Sequence, residues 1–146
     1  METSCLEPIL NQTTEPLEIT TKIFDLKNDA PSLLTRKIGL NDIVLVEGNI
    51  LFRPEIVEYF DLKIFIDSDF EVTLPRMRSR DLGETCSEAE IIEYDRRHAC
   101  KYVPGQELYL QSAMPKKIAE IIVDNNGLDN PKVNFVHDNI YIRNIP

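Results

Sequence analysis

The chain has 146 residues, 42% of them apolar, and a formal net charge of −9. This length suits one domain, and the acidic balance argues against non-specific binding to nucleic acid or to an anionic membrane, which requires clustered lysine and arginine. No apolar run approaches the roughly 20 residues that cross a bilayer. Because Met1–Gln12 lacks the pattern of a signal peptide and the three cysteines form no CxxC pair, we expect reduced thiols and a cytoplasmic protein.

The first part of the chain predicts a strand and then its clearest element. Residues 19–26 alternate partly between apolar and polar side chains, which favours a strand, and residues 28–31 have the composition of a turn. Residues 42–48 (Asp-Ile-Val-Leu-Val-Glu-Gly) form an apolar run closed by an acid and a glycine. Such a run is typical of a strand that is buried on both faces of a parallel sheet. Residues 54–60 then resemble a helix start, because proline suits the first turn.

A second buried strand is predicted at residues 62–67. Ser68 and Glu71 match the capping box and predict a helix that runs to about Asp81. Pro75 lies inside this stretch, and a proline in a regular helix interior costs roughly 3 kcal/mol. We therefore expect a later start or a kink at that point.

The remaining elements follow in the same alternation. Ser87 and Glu90 repeat the capping pattern and predict a helix as far as Ala99. An apolar run lies within residues 117–124, and residues 133–145 predict a terminal hairpin around Asp-Asn. Strands that alternate with helices at this spacing predict an α/β domain with a mainly parallel sheet.

Polar residues at the ends of the predicted strands are the first candidates for a site. Ligands of open α/β sheets bind at the carboxyl ends of the strands, which places Glu47, Gly48 and Asp67 at the mouth of a potential site. An acid in the position of Glu47 is where nucleotide-binding folds hold Mg²⁺ or its water shell. The alternative is an acid that ends a strand and caps the next segment of the chain.

Basic residues of the next helix are the second candidates. Arg76 and Arg80 are four residues apart and share a helix face, so that two guanidinium groups can clamp phosphate oxygens. The alternative is a solvated basic face that pairs with Asp69, Glu71 or Asp81. His98 and His137 belong to no cluster with metal-ligand spacing, and we assign no catalytic residue.

A series of segments adds a more specific signal, because of the order in which they occur. They are residues 42–48, 51–55 (Leu-Phe-Arg-Pro-Glu), 65–67, 71–74, 76–81, 102–109 (Tyr-Val-Pro-Gly-Gln-Glu-Leu-Tyr) and 119–125. Together they resemble the uridine kinase and phosphoribulokinase family of P-loop kinases over about residues 19–136. The resemblance is closest to bacterial uridine kinase-like proteins with a Tyr-x-Pro-Gly-Gln-x-x-Tyr segment.

The resemblance implies a fold and an activity. The fold is a single three-layer P-loop NTPase-like α/β domain over residues 1–146, and the activity is ATP-dependent transfer of phosphate to a nucleoside or another small hydroxyl acceptor. Glu47 matches the acid of the second nucleotide-binding motif, close to Mg²⁺. Arg76 and Arg80 match a lid helix that closes over the ATP phosphates, within a lid region of about residues 76–101.

The resemblance also implies a nucleoside pocket. Phe24 and Asp25 match the Tyr-Asp segment that lines this pocket in uridine kinases, and the change to phenylalanine removes a hydroxyl used for base recognition. Asp29 stands about where those enzymes carry a histidine. The resemblance therefore implies a substrate pocket at these positions and leaves uridine specificity open.

Two departures from the family lead to three hypotheses about this chain. The phosphate-binding motif GxxxxGK[ST] is absent, since none of the five glycines is followed by lysine. The family's catalytic aspartate also has no equivalent, so the resemblance implies a domain truncated at the N-terminus. The first hypothesis is a phosphotransferase completed by a complementing N-terminal chain or an upstream segment. The others are a pseudokinase or regulatory interaction module, which could form a homo-oligomer, and a truncated gene product.

Overall fold

The computed structural model describes residues 6–13, 15–25, 30–83 and 85–135. Its helices are α1 (Leu6–Leu10), α2 (Phe70–Leu82), α3 (Glu88–Arg97), α4 (Val103–Ala113) and α5 (Pro115–Ile118). Its strands are β1 (Leu17–Asp25), β2 (Ala30–Ile38), β3 (Ile64–Asp67), β4 (Ile121–Asp124) and β5 (Lys132–Phe135). A 3₁₀ turn lies at Val57–Tyr59, and a π-helical turn at His98–Tyr102 joins α3 directly to α4. No helix among these residues is long and apolar enough to span a membrane.

Strands β1 and β2 form an antiparallel pair of their own. Leu17 lies opposite Ile38 at one end, and Asp25 lies opposite Ala30 at the other. The hydroxyls of Thr20 and Thr35 hydrogen bond across the pair at 2.8 Å, as cross-strand threonines often do. The strand predicted at residues 19–26 is thus confirmed. Of the turn predicted at residues 28–31, residues 28 and 29 lie outside the described residues, and residues 30 and 31 begin β2.

The second sheet has the order β3-β4-β5. Strands β3 and β4 are parallel, with Ile64 opposite Ile121, and β5 runs antiparallel to β4. The α/β class is therefore confirmed, but only one of the strand pairs in the described residues is parallel. Strand β5 confirms a strand at the start of residues 133–145, and it pairs with β4. The rest of the predicted terminal hairpin lies outside the residues that the structure describes, so the hairpin stays a prediction.

The strand predicted at residues 42–48 is wrong. The segment has no regular secondary structure, and the side chains of Ile43 and Leu45 are 93% and 86% exposed. A strand needs a neighbour for its backbone N–H and C=O groups, and no described strand pairs with this segment. The segment instead leaves β2 through a turn in which the N–H of Gly39 donates to Asp42 Oδ2 at 2.8 Å.

Strand β3 confirms the element predicted at residues 62–67, but not its predicted burial on both faces. Ile64 and Ile66 are exposed while Phe65 and Asp67 are partly buried, so the side chains alternate between solvent and core. The reason is that nothing in the described part of the chain covers the face on which Ile64 and Ile66 lie. The helix start predicted at residues 54–60 is present only as the short 3₁₀ turn.

Helix α2 begins one residue later than the sequence predicts. Its N-cap is Asp69 rather than Ser68, and the Asp69 side chain makes no cap hydrogen bond. The N–H of Asp69 donates to Asn126 Oδ1 at 2.9 Å, so a side chain after β4 helps to fix the start of the helix. The helix continues through Pro75 and ends at Gly83, whose φ of 71° suits glycine.

Helix α3 confirms its predicted capping box. The N–H of Glu90 donates to Ser87 Oγ at 3.4 Å, and the N–H of Ser87 donates to Glu90 Oε2 at 2.8 Å. These two contacts satisfy backbone donors that no helical carbonyl can reach. The start of α3 is thus set by local sequence alone.

The apolar core is small and lies where the loop before β3 meets the end of α4. Its fully buried members are Phe52, Val57, Ala113 and Ala119, with partly buried side chains of both parallel strands packed around them. Phe65 of β3 meets Phe52 edge to face, with ring centroids 6.0 Å apart. This core holds the carboxyl ends of β3 and β4 beside the start of α2.

Candidate functional site

Arg76 of α2 lies against the segment that follows β4. Its Nη1 donates to the carbonyl oxygen of Asn125 at 2.7 Å, and its Nη2 donates to that of Asn126 at 2.8 Å. Both terminal nitrogens of this guanidinium are therefore engaged with the backbone. The contact ties α2 to the carboxyl end of β4, which is the end at which α/β sheets bind ligands.

Arg80 lies one turn further along α2 and has a different partner. Its Nε donates to Asp81 Oδ1 at 2.7 Å, and the side chain of Arg80 is 71% exposed. The second oxygen of the same carboxylate, Asp81 Oδ2, accepts a hydrogen bond of 2.8 Å from the hydroxyl of Tyr94 on α3. Arg76 and Arg80 share α2, but they do not act on one group in this structure.

The electrostatics of this second group follow from its hydrogen bonds. The Arg80 guanidinium, and after it the Tyr94 hydroxyl, hold the pKa of Asp81 below its ordinary value of 3.8. Burial, followed by the hydrogen bond to Asp81, raises the pKa of the Tyr94 phenol. The hydrogen bond to Asp81 raises the pKa of Arg80 in turn. Asp81 is therefore a carboxylate at neutral pH, with a donor on each oxygen.

Two further contacts join α2 to the helices that come after it. Arg78 Nη1 donates to Asp95 Oδ2 at 2.9 Å, and both side chains are partly buried. His98 is 3% exposed, with its Nε2 lying 3.4 Å from Met77 Sδ. The predicted lid region of residues 76–101 thus consists of most of α2, all of α3 and the start of the π-helical turn, held together by these side chains. His137 lies outside the described residues.

Asp67 occupies the carboxyl end of β3, as the sequence predicts. Its carbonyl oxygen accepts from the N–H of Asn125 at 2.8 Å, and its Oδ2 lies 2.7 Å from Lys116 Nζ. The side chain is therefore paired with a lysine of α5. No contact in the described part of the chain joins Asp67 to Glu47.

Glu47 lies in the irregular segment at residues 42–48 and is exposed. Gly48 next to it is exposed as well. No group of three or more histidine, cysteine or acidic side chains in the described ranges could hold a metal ion. Glu47 therefore belongs to no such group, and its role beside a metal stays a prediction.

The predicted nucleoside-pocket residues are placed only in part. Phe24 and Asp25 are the last residues of β1, where their backbones pair with Pro31 and Ala30 of β2. Their side chains and the whole of Asp29 lie outside what the structure describes. The pocket that the resemblance implies at these positions stays a prediction.

Tyr94 is the site residue that the sequence does not point to. The pairing of Arg80 with Asp81 could be read from their adjacency, because neighbouring opposite charges are a local signal. Tyr94 is thirteen residues from Asp81 along the chain. Only the packing of α3 beside α2 brings its hydroxyl to the carboxylate.

Comparison with known proteins shows which class of protein this chain is similar to. Uridine kinase of Clostridium perfringens is 29% identical over 103 residues, which is 70% of this chain and 48% of the relative. Uridine kinase of Clostridium botulinum is 27% identical over 126 residues, which is 84% of this chain and 58% of the relative. Uridine kinase-like protein 5 of Arabidopsis thaliana is 25% identical over 139 residues, or 94% of this chain and 28% of the relative. No family model matches the chain.

These relatives are kinases by name, and they support a uridine kinase family relationship for this chain. The resemblance drawn from the order of the sequence motifs is thereby confirmed. The identity is low, and the chain spans about half the length, or less, of the curated relatives it matches.

Proposed function

We propose that this chain provides the lid helices and the nucleoside side of a uridine kinase-like phosphotransferase that uses ATP and Mg²⁺. The observation that supports this role is the state of Arg80. Its two terminal nitrogens have no hydrogen-bond partner among the described residues, while its Nε is held by Asp81. A guanidinium in this state offers a planar pair of donors, which matches two oxygens of a phosphate group.

Arg76 has a second part in this proposal. It keeps α2 against the carboxyl end of β4 through the carbonyls of Asn125 and Asn126. To bind a phosphate with its terminal nitrogens, it would have to leave both carbonyls. In the proposed enzyme Arg80 is therefore the first phosphate ligand of the lid, and Arg76 keeps the helix in place.

The residues of this chain do not by themselves fit a Mg²⁺ site. Mg²⁺ in kinases keeps several waters and is held by one or two carboxylates together with the phosphates of the substrate. Glu47 is exposed, and it belongs to no group of three or more histidine, cysteine or acidic side chains in the described ranges. We therefore assign Glu47 to the metal as a proposal only, and we derive no step of the reaction through it.

The phosphate-binding loop is the part of the proposed enzyme that these 146 residues lack, because no glycine is followed by lysine. Phosphoryl transfer depends on positioning and on charge at the β and γ phosphates, most of which that loop, its lysine and Mg²⁺ supply. We propose that the loop comes from a segment outside this sequence. On this proposal the chain alone does not transfer phosphate. Phe24, Asp25 and Asp29 belong to the proposed acceptor pocket.

The first test is an ATP-consumption assay on the purified chain with Mg²⁺ and a panel of uridine, cytidine and other small hydroxyl acceptors. We expect no turnover above that of a heat-denatured sample. MgATP titrated into the same sample should bind weakly, and Arg80→Ala should weaken that binding by about three- to tenfold, because one charged donor pair is lost. Turnover that disappears in both Arg80→Ala and Glu47→Gln would overturn the proposed need for an outside loop.

A second candidate function is a non-catalytic interaction module. It is favoured by the exposure of Ile43 and Leu45, because adjacent exposed apolar side chains are a feature of surfaces that bind other polypeptides. On this reading the chain self-associates or binds an intact relative through residues 42–48. Sedimentation velocity of the wild type and of an Ile43→Ser, Leu45→Ser variant tests it, since a monomer in both would exclude self-association through this segment.

A further inference from the structure

One hydrogen-bonded chain crosses from α3 to the exposed arginine of α2. The hydroxyl of Tyr94 donates to Asp81 Oδ2 at 2.8 Å, and Arg80 Nε donates to Asp81 Oδ1 at 2.7 Å. Both oxygens of one carboxylate are thus occupied, each by a single donor. An exposed arginine normally samples many rotamers, and a contact at Nε restricts the plane of its guanidinium without covering its terminal nitrogens.

The other arginines of α2 are held differently. Arg76 uses both terminal nitrogens on backbone carbonyls, and Arg78 uses Nη1 on Asp95. On α3, Arg96 gives both Nε and Nη2 to Glu93. Among the arginines of α2, only Arg80 has two terminal nitrogens without a hydrogen-bond partner in the described residues. Its guanidinium is oriented by the hydrogen bond from Nε to Asp81.

We infer that Asp81 and Tyr94 are positioning residues that hold Arg80 with its two terminal amino groups open to the phosphate oxygens of a nucleoside triphosphate. The inference rests on the proposed function. Orienting the guanidinium before the ligand arrives lowers the side-chain entropy lost on binding. Because Tyr94 belongs to α3, the orientation of Arg80 also depends on how α3 packs beside α2. Binding of a triphosphate at Arg80 therefore depends on the packing of α3 beside α2, because Asp81 connects Arg80 to Tyr94.

The positioning step is tested first, without any ligand, by nuclear magnetic resonance. The Arg80 Nε–H signal, assigned as the signal missing in Arg80→Ala, should be shifted and protected from exchange in the wild type. Asp81→Asn should reduce the protection, because the neutral amide oxygen is a weaker acceptor than the carboxylate. Tyr94→Phe should also reduce it, although the Tyr94 ring is not the hydrogen-bond partner of Arg80. Tyr102→Phe is the matched control, because it removes a phenol hydroxyl near the end of α3 without touching Asp81, and it should leave the signal unchanged.

The binding step uses inorganic triphosphate as the probe, titrated at low ionic strength. Asp81→Asn and Tyr94→Phe should each raise the dissociation constant by about two- to fivefold, as expected for an exposed contact. Glu93→Gln makes the same change in net charge as Asp81→Asn and also frees an arginine. It should not weaken binding, because it leaves Arg80 oriented. Circular dichroism of every variant checks that α2 and α3 are retained.

The outcomes separate the inference from the function on which it rests. An Arg80 Nε–H signal that Tyr94→Phe leaves unchanged would overturn the positioning role of Tyr94. Triphosphate binding that is as strong in Asp81→Asn as in the wild type would overturn the role of Asp81. A protected Arg80 signal that does not respond to triphosphate would contradict the proposed function, because phosphate would then not bind at Arg80. The protection itself would show that Asp81 and Tyr94 still hold the side chain.

Discussion

The arginines of α2 carry the same charge and lie two residues apart, yet each has a different partner. Arg76 donates to two backbone carbonyls, Arg78 pairs with Asp95, and Arg80 pairs with Asp81. The rotation of 100° per residue turns Arg78 away from the face that Arg76 and Arg80 share. Arg80 lies one turn further along the helix than Arg76 and pairs with the neighbouring Asp81 instead of the segment after β4. Spacing in the sequence groups Arg76 with Arg80, whereas the structure gives them separate partners.

Replacing Arg76 should destabilise the fold. In Arg76→Ala the carbonyls of Asn125 and Asn126 lose a charged donor, and we expect the free energy of unfolding to fall by about 1–3 kcal/mol. Urea unfolding monitored by circular dichroism measures this. Arg96→Ala is the control, because Arg96 contacts only Glu93 of its own helix, and it should change stability less. Equal losses in the two variants would mean that Arg76 does not tie α2 to the sheet.

At the scale of single elements, α3 is the helix whose start is explained most fully. The Glu90 carboxylate accepts from the hydroxyl and the N–H of Ser87, at 2.7 and 2.8 Å. The hydrogen bond from the hydroxyl, and after it the one from the N–H, lowers the pKa of Glu90 below its ordinary value of 4.5. A carboxyl with a lowered pKa in the folded state stabilises that state above its unfolded pKa. The contribution is lost as pH falls through the folded pKa.

The stability of the chain should therefore fall in acid, and Glu90 should account for part of the loss. We expect the decrease in unfolding free energy between about pH 6 and about pH 3 to be smaller in Glu90→Gln than in the wild type. Glu88→Gln is the control, since Glu88 lies in the same first turn and its carboxylate has no hydrogen bond in the described residues. If the two variants show the same pH profile, the capping box does not contribute to acid sensitivity.

At the scale of the whole molecule, apolar side chains are divided unevenly between core and solvent. Ile56 is 2% exposed beside a small core, whereas Ile43 is 93% exposed although it stands in the most apolar run of the chain. Burial depends on whether another element lies against the segment, and none in the described residues covers Ile43. The apolar character of the run therefore does not lead to its burial within the described residues.

A matched pair of isoleucine truncations tests this division. Ile56→Ala should lower the free energy of unfolding by about 2–5 kcal/mol, because it leaves a cavity in the core. Ile43→Ala should change it by no more than about 0.5 kcal/mol, because the side chain is already in water. Denaturant titration of both variants gives the comparison. If Ile43→Ala lowered the free energy of unfolding nearly as much as Ile56→Ala, Ile43 would be buried, as the predicted strand at residues 42–48 requires.

Local patterns in the sequence account for the capping box of α3, for β1, and for the positions of β3 and β5. They also predict the resemblance to uridine kinases that relatives at 25–29% identity support. In each case the signal and its structural effect lie within a few residues of each other. The pairing of Arg80 with Asp81 could be anticipated for the same reason, whereas the role of residues 76–101 as a lid stays a prediction.

Only the tertiary structure decided the features that depend on distant partners. Residues 42–48 have the composition of a buried strand, but a strand also needs a neighbour, and the described chain places none beside them. Asn126 moves the start of α2 from Ser68 to Asp69, and Tyr94 reaches Asp81 only because two helices pack together. The sequence by itself determined several local elements and the resemblance of this protein to uridine kinases. The packing of those elements determined which side chains are buried, which are paired and which remain open to a ligand.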